Sequence, residues 1–178
     1  MLFRSQPQGV QNTCLGWSSW SNFVSDENYN IKGYTAPYFA AHMINLEWVQ
    51  HHAGVHEMVP SSADITDGDG NLLVTSYAVH RPDGNWSLML INRDETNPHT
   101  VRVLFEDSQR KRQTSFAGPV TLVSFGSEQY VWVNDGPNSR PDPDHPPVAT
   151  RLQGPPSTFT LPKASITVLR GRVGQLQD

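Results

Sequence analysis

Asp67, Asp69 and Asn71 place oxygen ligands at alternate positions of the stretch DGDGN, the pattern with which a calcium-binding loop begins. Such a loop also needs a bidentate glutamate at its twelfth position, and counting from Asp67 that position is Ala78, inside a predicted strand. The stretch therefore predicts a tight turn. The alternative is a calcium ion that Asp67, Asp69 and Asn71 hold together with ligands from other loops.

Five aromatic residues are the main candidates for ligand binding. Aromatic side chains stack on the apolar C–H surface of sugar rings, so exposed Trp and Tyr on a β-sandwich indicate carbohydrate binding. The candidates are Trp17, Trp20, Tyr29, Trp86 and Trp132. Trp86 and Trp132 lie on predicted strands, where a place in the core is the alternative. Trp17 and Trp20 lie in loop-like sequence, where an interface or ligand role is as well supported as a structural one.

Glycoside hydrolysis would require a pair of carboxylates facing one cleft, about 5 or 6.5–9.5 Å apart. The candidates by residue type are Glu27, Glu47, Glu57, Glu106 and Glu128. None of them lies in a recognisable motif, and most are expected to be ordinary surface charges. We therefore predict no catalytic residue in this chain.

The seven histidines and the single cysteine form no local metal-binding or nucleophilic motif. No HExxH spacing occurs, and Gly54 separates His52 from His56 at the end of a predicted helix. Cys14 is alone, so no internal disulfide and no cysteine-based metal site can form. No Gly-x-Ser-x-Gly motif is present. The sequence therefore predicts no cofactor.

Composition argues against nucleic acid and membrane as partners. The net charge is −4, and the only basic cluster, residues 110–112, predicts a solvated loop between two strands. No run approaches the roughly 20 apolar residues of a membrane-spanning helix. The amino-terminal stretch MLFRSQPQG has no apolar segment of signal-peptide length.

The element that organises the rest is the stretch from Leu72 to Asn92. Two apolar runs with period-two alternation flank the sequence RPDGN, in which proline presets φ and Asp-Gly tolerates the positive φ that closes a turn. This pattern predicts a central antiparallel hairpin. Both faces of the hairpin are largely apolar, so we expect it to lie in the middle of a sheet with something packed on each side.

The rest of the chain predicts an all-β protein, an antiparallel β-sandwich of about eight strands preceded by one helix and an irregular N-terminal segment. The helix is predicted over 35–52, where Thr35 can cap it and Pro37 suits its first turn. The proline-rich stretch from Gly136 to Pro156 is predicted as an extended loop. The predicted strands lie near 55–59, 72–80, 86–92, 99–106, 119–125, 129–134, 157–161 and 164–170.

Three stretches carry a family resemblance. They are the helical run YFAAHM at 38–43, the strand pair at 78–93 with the sequence LINR at 90–93, and the closing LPKASITVL at 161–169. In this order they resemble the carboxy-terminal end of multidomain glycoside hydrolases of the β-xylosidase and α-L-arabinofuranosidase type. The resemblance covers about residues 34 to 170.

The resemblance implies a β-sandwich that packs on a (β/α)8 barrel. Residues 1–52 would be a remnant of the barrel end, 53–172 the sandwich and 173–178 a tail. The family's catalytic glutamates lie upstream on barrel strands, and no position in this chain matches their motifs. The implied function is that of a non-catalytic accessory domain of a truncated or modular enzyme. The alternatives are an autonomous carbohydrate-binding module and a small glycoside hydrolase with a carboxylate pair.

The partners expected from this interpretation are a plant-type polysaccharide or oligosaccharide and the missing catalytic barrel. Without the barrel, an uncovered apolar surface predicts a homo-oligomer. The residues expected to form that surface are Trp17, Trp20, Phe23, Phe39, Ile44, Trp48 and Val49.

Overall fold

A computed structural model describes residues 22–51, 53–107 and 111–174. It confirms the predicted all-β fold class, because strands predominate and the strand pairs of this part of the chain are antiparallel. The chain forms two compact units, Met1–Tyr38 and Phe39–Asp178. In chain order the strands are β1 (Phe23–Ser25), β2 (Ile31–Tyr34), β3 (Glu57–Val59), β4 (Val74–His80), β5 (Trp86–Asn92), β6 (His99–Arg102), β7 (Phe105–Asp107), β8 (Arg112–Thr114), β9 (Val120–Gly126), β10 (Tyr130–Val133), β11 (Arg140–Asp144), β12 (Val148–Leu152), β13 (Thr158–Leu161) and β14 (Ser165–Gly171).

The described part of the first unit is a hairpin of β1 and β2. Phe23 pairs with Tyr34 across the two strands. The ring of Tyr34 stacks on that of Tyr38, with 4.2 Å between centroids. Asp26 closes the turn, because its carboxylate accepts hydrogen bonds from the backbone and side-chain amides of Asn30.

The second unit is built on a six-stranded sheet in the order β12-β9-β14-β5-β4-β3. Shorter ladders pair β13 with β6, β7 with β8, and β10 with β11. The predicted hairpin is therefore confirmed as β4 and β5, with β5 paired to both β4 and β14 near the middle of the sheet. Its turn has the predicted conformation, with Gly84 at φ 75° and a backbone hydrogen bond from Gly84 N–H to the Arg81 carbonyl.

One face of this sheet, the inner face, packs against the β6–β13 and β7–β8 side of the sandwich. The alternation predicted for the hairpin is confirmed there, because Val74, Ala78, Leu88 and Leu90 all point into this core. The core is completed by buried Leu169, Val120, Val103, Phe116, Phe159 and Leu161.

The opposite face, the outer face, carries the alternate residues and is covered by the helix. Val79, Met89, Val123, Phe125 and Val168 are buried on it. Helix α1 (Ala36–His42) continues as a π-helical stretch over Met43–Trp48, which packs on β5, β9 and β14. Met43 is fully buried, and the ring of Phe39 lies 4.8 Å from that of Phe125. The expectation of packing on both faces of the hairpin is thus confirmed.

Several predicted elements differ from the structure. The N-terminal segment, predicted to be irregular, contains the β1–β2 hairpin, and the strand predicted over 99–106 is divided into β6 and β7. The helix ends at Trp48 instead of residue 52, because Val49 is extended and arginine side chains bind the backbone carbonyl of Glu47. The proline-rich stretch 136–156 is not only loop, since it contains β11 and β12. Pro141 and Pro143 are compatible with β11 because this strand belongs to a two-stranded ladder, and β12 itself contains no proline. Within the described residues, no helix has the length and apolar composition needed to cross a membrane.

Candidate functional site

The predicted carbohydrate-binding aromatics lie in different environments. Trp17 and Trp20 fall outside the described residues. Tyr29 is 88% exposed in the turn between β1 and β2, at φ 63°. Trp132 is 50% exposed on β10. Trp86 packs against the inner core, and its ring meets that of Phe105 edge to face at 5.3 Å. The rings of Trp86 and Trp132 therefore do not form one platform.

The DGDGN stretch forms the predicted tight turn. The Asp67 carboxylate accepts hydrogen bonds from the backbone N–H groups of Asp69 (2.9 Å) and Asn71 (2.8 Å) and from the side-chain amide of Asn71 (2.9 Å). The Asn71 side chain is the largest contributor to a lowered pKa of Asp67. Among the residues that the structure describes, no group of three or more His, Cys, Asp or Glu side chains could hold a metal ion.

The two later stretches of the family resemblance meet in space. Ser165 pairs with Asn92 across β14 and β5. The buried Asn92 amide donates hydrogen bonds to the carbonyls of Pro162 (2.8 Å) and Asn97 (3.1 Å), and its oxygen accepts one from Asp94 N–H (3.0 Å). Ser165 Oγ donates to the same Pro162 carbonyl at 2.6 Å. These residues have a structural role, because each polar group of the Asn92 side chain is satisfied inside the protein.

Asp94 organises the loop that follows Asn92. Its carboxylate accepts hydrogen bonds from the backbone N–H groups of Asn97 (2.9 Å) and Thr96 (2.8 Å), and lies 3.0 Å from His99 Nε2. The backbone donors of Asn97 and Thr96 are the main reason why the pKa of Asp94 is lowered to about 2.

At one end of the outer face, two arginines hold the end of the helix. Arg81 Nη1 donates to the Glu47 carbonyl at 3.1 Å, and Arg170 Nη1 donates to the same carbonyl at 3.4 Å. Arg170 Nη2 lies 2.9 Å from Glu47 Oε2, while Arg81 Nη2 lies 3.2 Å from Asp83 Oδ2. Cations at the carboxy-terminal end of a helix satisfy its free carbonyls and oppose its dipole, so this network fixes the helix on the sheet.

The same arginines border an open cleft of about 330 Å³. Strand register explains the arrangement, because Arg170 pairs with Thr121 and Thr121 pairs with Arg151, which places the three in one row of the outer face. The residues that line the cleft are Arg81, Asp83, Asn85, Pro119, Thr121, Arg151, Arg170 and Gly171.

Burial controls the electrostatics at the base of the cleft. Arg81 is only 8% exposed, and its Nε–H is buried without a hydrogen-bond partner among the described residues. Burial lowers the pKa of Arg81, Asp83 opposes this effect, and the guanidinium of Arg170 adds to it. Partial burial would raise the pKa of Asp83, but hydrogen bonds from Asn85 and the charge of Arg81 together lower it. The cleft can therefore present fixed cations to an anionic ligand.

The comparisons with known proteins are limited. No protein-family model matches this sequence, and no curated protein matches it. Among solved structures, a GH51 arabinofuranosidase from Xanthomonas axonopodis pv. citri is similar over 61% of this chain and 21% of its own, at 23% identity and TM-score 0.38. A protein of unknown function from Acinetobacter sp. ADP1 is similar over 66% of this chain and 93% of its own, at 13% identity and TM-score 0.33. This chain spans about a fifth of the arabinofuranosidase, and at these TM-scores neither similarity carries an argument.

Sequence reasoning did not identify the arginine cleft. One signal was available in the sequence. Arg170 comes two residues after the buried Val168, and Arg81 comes two residues after the buried Val79, so each arginine continues a row of apolar residues on one face of the sheet. An arginine that continues an apolar row of a sheet requires a partner. The partner, Glu47, comes from the helix, and no local pattern links it to either arginine.

Proposed function

We propose that this chain is a non-catalytic accessory β-sandwich of a carbohydrate-active enzyme of the β-xylosidase or α-L-arabinofuranosidase type. The proposal rests on the sequence resemblance and on one observation above all. Two of the three stretches that carry it, around Asn92 and around Pro162 to Ser165, form one hydrogen-bonded node. A motif with such a structural role is expected to persist in a supporting domain.

The role of the sandwich would be to support a catalytic domain and to contact polysaccharide. The β1–β2 hairpin favours contact with another domain, because its large apolar side chains are exposed to solvent. These side chains are Phe23, Val24, Tyr29, Ile31 and Tyr34. Large apolar side chains that remain exposed together on one element commonly mark an interface.

The first test is enzymatic. The chain should not hydrolyse aryl glycosides of xylose, arabinose, glucose or galactose. Glu47 is ion-paired with Arg170, so its carboxylate is engaged in holding the helix on the sheet. Turnover that survives repurification and disappears in a single Glu→Gln variant would contradict the proposal and favour a small hydrolase.

A second candidate function is an autonomous carbohydrate-binding module, which the half-exposed Trp132 favours. Affinity electrophoresis on xylan and cellulose separates the two. If Trp132→Ala abolishes retention and Trp132→Tyr preserves it, the exposed ring is a sugar platform and the module is the better description. If both variants behave like the parent chain, Trp132 is not that platform.

The expected self-association remains part of the proposal. Phe39 is buried against Phe125, so it does not add to an exposed apolar surface. The β1–β2 hairpin keeps its exposed side chains, and we expect it to mediate association of the isolated chain. Light scattering should give a dimer for the parent chain and a monomer for the double variant Ile31→Ser, Tyr34→Ser. A parent chain that is monomeric at high micromolar concentration would contradict this.

A further inference from the structure

The cleft on the outer face contains more positive charge than its own carboxylates neutralise. Glu47 pairs with Arg170, and Asp83 pairs with Arg81. Arg151 is exposed on β12, and within residues 22–51, 53–107 and 111–174 its side chain has no ion-pair or hydrogen-bond partner. One guanidinium of the cleft is therefore uncompensated, in a protein whose net charge is −4.

We propose that this cleft binds the carboxylate of a uronic acid residue in an acidic oligosaccharide. The inference rests on the proposed carbohydrate-related function and assigns a ligand class to the outer face. A single uncompensated guanidinium suits a singly charged carboxylate, which arginine binds through two parallel N–H···O hydrogen bonds. Arg151 would bind this carboxylate, with Arg170 beside it in the same row of the sheet.

The remaining polar lining favours a sugar over a simple anion. Asn85 and Thr121 offer both donors and acceptors, and Asp83 offers acceptors, so hydroxyl groups of a sugar ring could be bound on either side of the carboxylate. A phosphate dianion would lie near the ionised Asp83 and would carry more charge than Arg151 can balance. The lining therefore discriminates against doubly charged ligands.

The size and rigidity of the cleft are consistent with one sugar residue of a longer chain. Its volume of about 330 Å³ lies at the lower end of the range of roughly 300–1,000 Å³ found for ligand pockets. Arg81 and Arg170 are fixed by the Glu47 carbonyl, so of the three arginines only Arg151 has to be ordered when a ligand binds. The cleft is open, which allows a polysaccharide to continue beyond it.

The inference can be tested by calorimetric titration of the full chain with trigalacturonate, with neutral galactotriose and with inorganic phosphate. Arg151→Gln should weaken trigalacturonate binding by about 10- to 100-fold, the effect of one charge-assisted hydrogen-bonded pair. Arg151→Lys should bind with intermediate affinity, because it keeps the charge without the planar fork. Arg140→Gln is the matched control, since Arg140 is also exposed on a strand but does not line the cleft. Added salt should weaken binding to the parent chain.

Three results would overturn the inference. They are equal affinities for trigalacturonate and galactotriose, equal effects of Arg151→Gln and Arg140→Gln, and phosphate binding as tight as that of trigalacturonate. Retention on neutral xylan distinguishes this failure from failure of the proposed function. If the chain is retained on neutral xylan but does not bind trigalacturonate, the uronate site is wrong and the proposed accessory function stands. Uronate binding that depends on Arg151 supports the inference even if neutral xylan is not bound.

Discussion

The two faces of the six-stranded sheet are buried in different ways. The inner face is closed by other strands around an apolar core that includes Phe116, Phe159 and Leu161. The outer face is closed by a helix, and its apolar centre, with Met43 and Phe125, gives way at one end to charged side chains. A face covered by strands along its length leaves little space for a ligand. A face covered by one short helix ends in a cleft in which Arg81 and Arg170 are already positioned, and there we place the candidate site.

The largest effect is expected from removing the side chain that joins the helix to the outer face. Met43→Ala leaves a cavity at a fully buried position, and we expect a loss of about 2–5 kcal/mol in the free energy of unfolding. Leu46→Ala is the control, because Leu46 is 40% exposed in the same π-helical stretch. Urea denaturation measures both variants. Equal losses would show that the helix is not an integral layer of the sandwich.

A smaller effect is expected at the hydrogen-bonded node of Asn92. Asn92→Ala removes the donor to the Pro162 and Asn97 carbonyls and the acceptor for Asp94 N–H, so about 1–3 kcal/mol should be lost. Asn138→Ala, at an exposed position in the 3-10 turn, should change the stability by less than about 0.5 kcal/mol. If Asn92→Ala does not change the free energy of unfolding, the hydrogen bonds of Asn92 do not explain the family-like motif.

A substitution in the turn of the central hairpin should reduce the stability by less than the two preceding substitutions. Gly84→Val places a β-branched residue at φ 75°, which costs about 1–2 kcal/mol. Gly68→Ala is the control, because no atom lies within 4 Å of the added Cβ there and the backbone is not in the left-handed region. Equal melting temperatures for Gly84→Val and the parent chain would contradict the assigned turn.

The smallest effect should depend on pH. The pKa of Asp94 is about 2 in the folded protein, against an ordinary value of 3.8, so its ionised form stabilises the fold above about pH 4 and this contribution is lost as the pH falls through 2. Asp94→Asn should therefore melt below the parent chain at pH 6, with a difference that disappears near pH 2. Glu95→Gln, at the exposed neighbouring position, is the control. A difference that does not change with pH would contradict the role assigned to the carboxylate.

Local patterns were sufficient for most of the fold. The alternation in 72–92 identified a central hairpin with two buried faces, and the RPDGN sequence identified the positive φ of Gly84. The candidate cleft could not be predicted in this way, because Arg81, Arg151 and Arg170 come together only through the register of five strands. The short β12 was missed because prolines on both sides of it dominate the local pattern.

The most direct test of the account is to map where an acidic oligosaccharide binds, by titrating the ¹⁵N-labelled full chain with trigalacturonate and following amide chemical shifts. We predict that the largest changes lie at the cleft, at Thr121, Arg151, Arg170 and Gly171, with Trp132 on β10 unchanged. Changes centred on Trp132 and its neighbours, or no change at any residue, would contradict the assignment of the ligand site to the outer face.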